Sequence, residues 1–223
     1  MKKLLIIILL CSCSSCISQS IRAFGTINAH LTGNFERKSI ANFGAGIEIE
    51  TFNFLRPEIE ATYYLGFLED IENINSNNVT TDLLSRYVSA INYSITPKFL
   101  IDISQDYDKG RVYFQIMPKY NLTNVTAKAT FLTLNKENTK LIENDSDQFK
   151  EKRQSFGIGV GVIFNLYDKR NDALAFNLYY NNIEIGNAIN NLKLGKSTIN
   201  TSTAFGIGVN YYFGIIDKKQ KNK

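Results

Sequence analysis

Tryptophan is missing from this 223-residue chain, histidine occurs once, and proline and cysteine occur three times each. All three cysteines (Cys11, Cys13 and Cys16) crowd the first sixteen residues, so the rest of the chain has no disulfide framework. One histidine and three prolines leave little for a metal cluster or a proline-rich linker. No apolar run approaches the roughly 18 residues of a membrane helix, and the mean hydropathy is −0.15; a helical membrane protein is excluded. The balance of 25 basic against 21 acidic residues, a net charge of +4, is too mild for a nucleic-acid binder. The length suits one domain, or at most two small ones. No motif for a specific activity stands out, and no cofactor or metal is expected.

The first eighteen residues read as an address. Lys2 and Lys3 form a positive start, Leu4 to Leu10 supply seven consecutive apolar residues, and small residues follow from Cys11 to Cys16. That is the pattern of a secretory signal peptide, with an apolar stretch too short to span a bilayer. Two processing routes remain open. Cleavage after Ser18 starts the mature chain at Gln19; acylation at Cys13 or Cys16 makes a lipoprotein, and Leu10-Cys11-Ser12-Cys13 resembles a lipobox. Both export the protein. The expected division is a signal peptide over 1–18, a barrel over 19–213 and a basic tail over 214–223.

Beyond Gln19 the dominant signal has period two. Phe205, Ile207, Val209, Tyr211 and Phe213 alternate with Ala204, Gly206, Gly208 and Asn210. Phe156, Ile158, Val160, Val162, Phe164 and Leu166 alternate with Gly157, Gly159, Gly161, Ile163 and Asn165. A water-soluble sandwich needs bulk on its inner face. Bulk on one face and glycine on the other suits a barrel whose outside meets lipid and whose narrow inside is crowded. Eight strands are expected: 21–31, 40–52, 55–67, 87–103, 111–126, 155–166, 173–184 and 202–213. Each reaches the roughly 9–11 residues that cross a bilayer. Their connections run 8, 2, 19, 7, 28, 6 and 17 residues, long and short in strict alternation. Outer-membrane barrels have this rhythm of external loops and periplasmic turns. The short connections 104–110 and 167–172 carry turn chemistry in Asp106 to Gly110 and Asp168 to Asp172. Thr80 to Tyr87 could wind one or two helical turns. Pro57, Pro97 and Pro118 recur in similar settings, where bulges are expected.

These segments, the leader and the closing Gly208-Val209-Asn210-Tyr211-Tyr212-Phe213 together resemble the porin-like outer-membrane β-barrel domain family, in the small OmpX and OmpA size class. The resemblance spans essentially residues 21 to 213. It implies an all-β, eight-stranded antiparallel up-and-down transmembrane β-barrel in the bacterial outer membrane. It also implies that Gly208, Tyr211 and Phe213 form the signal read by the barrel-assembly machinery. Many family members stop at the terminal Phe; this chain continues through Gly214 to Lys223.

Parity assigns a lumen row that holds Glu48, Glu50, Glu58 and Glu60, with Arg22, Arg56, Lys98, Lys119 and Arg111 on the same faces. Counting across the turns sets Glu50 opposite Glu58, Glu48 opposite Glu60, and Arg22 opposite Glu48. Four neighbouring carboxylates repel unless cations sit among them. The set could make an ion path or an acid–base pair; a buried salt-bridge network is the better reading, because eight strands leave room only for side chains. His30 with Thr32 and Glu36 is the only possible hydrolytic set, and a rim histidine without a partner is the plainer reading. The acidic loop 68–86 (Glu69, Asp70, Glu72 and Asp82 against Arg86) could hold divalent cations but is better read as a solvated loop; 127–154 is the longest loop and the best candidate for touching another molecule. Tyr63, Tyr87, Tyr93, Tyr180, Tyr211 and Phe213 are expected as interfacial girdles.

The expectation is therefore a non-enzymatic integral outer-membrane protein with a side-chain-filled lumen. Its partners would be outer-membrane lipids and lipopolysaccharide, the assembly machinery and an unidentified ligand at the external loops, with no nucleic acid. The alternatives are an envelope-lipid hydrolase or acyltransferase, a narrow passive pore, and a periplasmic barrel that holds an apolar ligand.

Overall fold

A computed structural model describes residues 20–31, 39–68, 70–104, 111–135, 137, 140–166, 171–181, 183, 185–195, 199 and 204–216. The leader, its cysteines, Thr32, Glu36, Glu69, the turn 106–110, most of 168–172 and the tail from Asp217 lie outside the described residues. In chain order the elements are β1 (Ile21–Leu31), β2 (Ser39–Ile49), β3 (Leu55–Phe67), β4 (Ile71–Ile74), β5 (Thr80–Asp102), β6 (Val112–Leu134), β7 (Leu141–Asn165), β8 (Ala173–Asn181), α1 (Ile185–Asn190) and β9 (Ala204–Ile216). Every paired neighbour is antiparallel, β1 pairs with both β2 and β9, and β3 pairs with β5. The ring of eight therefore closes, and β4 stands outside it as a short ninth strand on the extended end of β5. Closure removes the edges that an open sheet would expose. Among the described residues no helix is long and apolar enough to cross a membrane.

The period-two pattern decides which face is which. Phe156 is 75% exposed, Ile27 73% and Ile207 57%, whereas Arg22, Glu48 and Lys98 are at most 2% exposed. Bulky apolar side chains thus cover the outside and ionised groups fill the inside, the reverse of a soluble barrel and the arrangement of a transmembrane one. Small residues on the inner face are a steric requirement. A Cβ on Gly46 would come within 2.5 Å of the Phe24 ring, and one on Gly206 would collide with the His30 imidazole.

Several expectations need correction. The strand expected over 87–103 begins at Thr80, so the segment 80–87 is strand and not helix. The expected loops 68–86 and 127–154 are largely β-structure: β4 pairs with Thr80 to Leu84, and β6 and β7 run on, paired as far as Leu134 and Leu141. The reason is that outside the hydrocarbon both faces of a hairpin can be polar, so the contrast between alternate residues fades while the backbone ladder continues. The expected last loop, 185–201, contains α1. The prolines sit without register shifts. Pro57 pairs with Pro97, and the β5–β6 ladder keeps one register from Ile95–Tyr120 to Phe99–Ile116 with a three-residue gap where Pro97 and Pro118 face each other. Three residues without N–H groups, Pro57, Pro97 and Pro118, share one rung, so the missing donors fall at a single level of the sheet.

Candidate functional site

The inner faces divide into two regions. At the end where the short turns lie, β1, β2, β3 and β5 contribute charge. Glu48 accepts a hydrogen bond from the Arg22 guanidinium at 2.6 Å, contacts the Lys98 ammonium, and lies 4.0 Å from Arg56. Lys98 also donates to Glu58 at 2.5 Å. Arg56 reaches Glu50 at 3.0 Å, and Glu50 keeps 30% of its side chain exposed as the outermost member. Higher up, Lys119 donates to Glu60 at 2.6 Å, as does Ser94 at 3.2 Å. Each cation also lies over a ring. Arg22 and Lys98 sit 4.9 and 4.3 Å from the Tyr212 centroid, Arg56 is 5.6 Å from Tyr113, and Lys119 is 4.8 Å from Tyr179. Ammonium and guanidinium groups without bulk water gain from both the carboxylate and the quadrupole of the ring.

Beside the charges at this end is an apolar cluster of Phe24, Leu100, Tyr113, Ile163, Ala173, Ala175 and Tyr212. Tyr212 joins the two sides, with its ring among the apolar groups and its hydroxyl donating to Glu58 at 2.9 Å. Above it runs a ladder of amides. Asn210 lies 3.3 Å from the Tyr212 hydroxyl, Thr26 donates to Asn210 at 2.8 Å, and Asn28 donates to Asn42 at 2.6 Å. The Asn42 amide nitrogen is 2.6 Å from His30 Nε2.

The register departs from loop counting at one turn. Arg22 does face Glu48, but Glu48 faces Glu58, and Glu60 faces Gly46. Irregular pairing around Phe52 and Leu55 slips the β2–β3 hairpin by two residues. A slip of two preserves the face, so the four carboxylates stay inside with different neighbours. Arg111 remains outside the network, exposed at the turn end, 3.5 Å from the Tyr113 hydroxyl. His30 is not a rim histidine without a partner: it is 2% exposed, bonded to Asn42 and ringed by Tyr64 and Tyr179. It points inward because His30 shares the parity of Arg22. Tyr87, Tyr93, Tyr180 and Phe213 are exposed on the outer face, and Tyr63 and Tyr211 half-buried there. Gly208 lies inside against Asn28, and the Tyr211 and Phe213 rings pair at 4.5 Å on a strand that runs on to Ile216.

The second region was missed by sequence reasoning. Between β8 and β9 the chain turns into the loop end of the barrel, where Ile183, Ile185, Ala188, Ile189, Leu192 and Ile199 pack against wall residues such as Tyr64, Val88, Ala90, Val125 and Ala127. Leu84, Phe149 and Leu194 close over this plug. Two polar clasps hold it to β7: Asn187 donates to Glu151 at 2.9 Å, and the Lys193 backbone N–H donates to Asp147. The crevice beneath it, lined by His30, Ile40, Tyr64, Ile183, Ile185 and Ala204, has room for no more than about one water molecule. The recurrence of isoleucine at 185, 189 and 199 in the expected external loop 185–201 was the available signal. Among the described residues, no group of three or more His, Cys, Asp or Glu side chains could hold a metal ion.

The chain matches no family model and no curated relative. Among solved structures it is similar to Ail, the attachment invasion locus protein of Yersinia pestis, crystallised with the heparin analogue sucrose octasulfate. That likeness has 11% identity and a TM-score of 0.41, over 88% of this chain and 96% of that one. It is also similar to Neisserial surface protein A, with 12% identity and a TM-score of 0.36 over 88% and 96% of the two chains. A third is a major outer membrane protein of Thermus thermophilus, with 8% identity and a TM-score of 0.37 over 86% and 99%.

Proposed function

We propose that the chain is an integral protein of a bacterial outer membrane that works without catalysis, as a sealed anchor for a surface-exposed β-sheet. The observation that carries this reading is the combination of an apolar outer belt with a lumen filled from end to end. Ion pairs and rings occupy the turn end, amides the middle, and an apolar plug the loop end. Eight strands enclose space only for side chains, and here those side chains are paired. Conduction through such a lumen would require both the plug and the ion pairs to move. The sheet of β4, β5, β6 and β7 rises beyond the belt and is the part placed to meet another molecule. The turn end then faces the periplasm and the sheet faces outward.

The test is refolding of the full chain into vesicles, followed by gel mobility with and without boiling. A folded barrel shifts on heating and resists carbonate extraction; release by carbonate overturns the membrane reading. Surface proteolysis should cut at the turn 75–78 and between the paired ends Leu134 and Leu141, not throughout 68–86 and 127–154. Planar bilayers should record no unitary current steps, and regular steps would replace the sealed anchor with a pore. A changed lipid A composition in cells carrying His30→Ala would replace it with an enzyme.

A further inference from the structure

We infer that Lys128, Lys150 and Lys152, on the outer face of the β6–β7 hairpin, form a binding strip for phosphate groups of an outer-leaflet glycolipid. The inference rests on the outer-membrane reading above. The three side chains share one face. Lys150 and Lys152 are two residues apart on β7, and Lys128 faces Gln148, one diagonal step from Lys150. Like charges at these spacings, about 7 Å, repel one another unless an anion lies between them. No described residue supplies one: the other outward positions on these rungs are Asn124, Thr126, Thr130, Ser146, Gln148 and Gln154. Two acids of the same hairpin turn the other way, and Glu143, opposite Leu132, stands two rungs beyond Lys128 toward the tip. Asp147 and Glu151 face the plug and are engaged there by Lys193 and Asn187. At the level of the three lysines the hairpin is therefore polarised, cationic toward the outside of the barrel and anionic toward the plug.

Height along the barrel identifies the anion. Successive rungs run Tyr63–Ile91–Asn124–Lys152, Leu65–Ser89–Thr126–Lys150 and Phe67–Tyr87–Lys128–Gln148. Along each rung, from β3 to β7, apolar or aromatic groups give way to polar and cationic ones, as the tilt of the strands carries the rung out of the hydrocarbon. On β6 and β7 the belt ends at Leu122, which is 42% exposed, and Phe156, with the Tyr120 ring tilted against Phe156 at 5.1 Å between centroids. Lys152 is opposite Asn124, the next outward residue above Leu122. The strip thus begins where hydrocarbon ends, at headgroup level. A lysine ammonium is a compact cation with three donors, and several of them on one face match an anion with several oxygens. The outer-leaflet groups with that chemistry at that height are phosphates on a glycolipid.

The full chain, refolded in zwitterionic vesicles, is titrated with diphosphoryl lipid A, dephosphorylated lipid A, inorganic phosphate and a soluble sulfated oligosaccharide. Wild type should bind diphosphoryl lipid A at least tenfold more tightly than the Lys128→Gln/Lys150→Gln/Lys152→Gln variant, and at least tenfold more tightly than it binds dephosphorylated lipid A. The preference should weaken as salt rises. Lys140→Gln, at the far tip of the hairpin, should bind like wild type. Equal binding by the triple variant, or equal binding of dephosphorylated lipid, overturns the inference. So does competition by inorganic phosphate at lipid concentrations, which would make free phosphate the ligand, or equally tight lysine-dependent binding of the sulfated sugar, which would make it a soluble glycan. A chain that never gives a heat-shifted band overturns the membrane reading and this inference together; a heat-shifted chain that fails the lipid arms overturns the inference alone.

Discussion

At the turn end of the lumen, wall strands meet through Glu48, Glu58, Lys98 and Arg22, two carboxylates and two cations buried together. At the loop end, Ile183, Ile185, Ala188, Ile189, Leu192 and Ile199, from between β8 and β9, fill the mouth with aliphatic side chains. The two fillings respond to damage differently. A buried ion pair contributes little net stability when intact, because desolvation offsets attraction, yet removing one partner strands the other. An apolar plug contributes in proportion to the area it covers, and losing part of it costs only that part. The turn end is therefore all-or-none, whereas the loop end can loosen by degrees while the ring stays closed.

The sharpest way to break this contrast is Lys98→Met. It leaves Glu48 and Glu58 facing each other, and unfolding in urea, followed by the heat-shifted band, should show a loss of about 3–5 kcal/mol. Adding Glu58→Gln should recover part of it; no recovery would mean that the lysine acts by packing alone. Next is Ile189→Ala, which removes a fully buried side chain from α1 at a cost of about 2–5 kcal/mol to plug docking. Proteolysis within 191–195 should accelerate while the urea midpoint of the barrel hardly moves. A midpoint that falls as far as in Lys98→Met would mean that plug and wall unfold as one unit. Tyr212→Phe deletes the hydroxyl donated to Glu58 but keeps the ring, and should cost about 1–3 kcal/mol in the same urea assay. The smallest effect belongs to Gly195→Ala. Gly195 has φ +70° and a Cβ there would meet Leu84, so about 1 kcal/mol of plug docking is lost, read as a modest rise in proteolysis.

The wall was legible because two faces in different surroundings force alternate residues apart. Phe156, Val160, Ile207 and Val209 must meet one phase and their glycine neighbours the other, and no other secondary structure has that period. The charged residues of the lumen followed from the same parity. Which carboxylate meets which depended on an irregular turn at Phe52 to Leu55, and turn geometry leaves little trace in composition. The projecting ends of β5, β6 and β7 were hidden for the opposite reason. Between Leu141 and Gln154 both faces tolerate polar residues, so period two disappears although pairing continues. The plug was hidden by its brevity: α1 spans six residues, too few to display a helical period.

Chemical alternation along the chain alone decided that this protein is a ring of strands with lipid outside and ions inside, since each residue's phase can be assigned without knowing its partners. Tertiary structure decided how the ring is sealed. Neither the slip that sets Glu48 against Glu58 nor the folding of Ile185 and Ile189 into the mouth is encoded within any single segment. The first depends on backbone geometry at Phe52 to Leu55, and the second on a mouth that exists only once the first and last strands have joined.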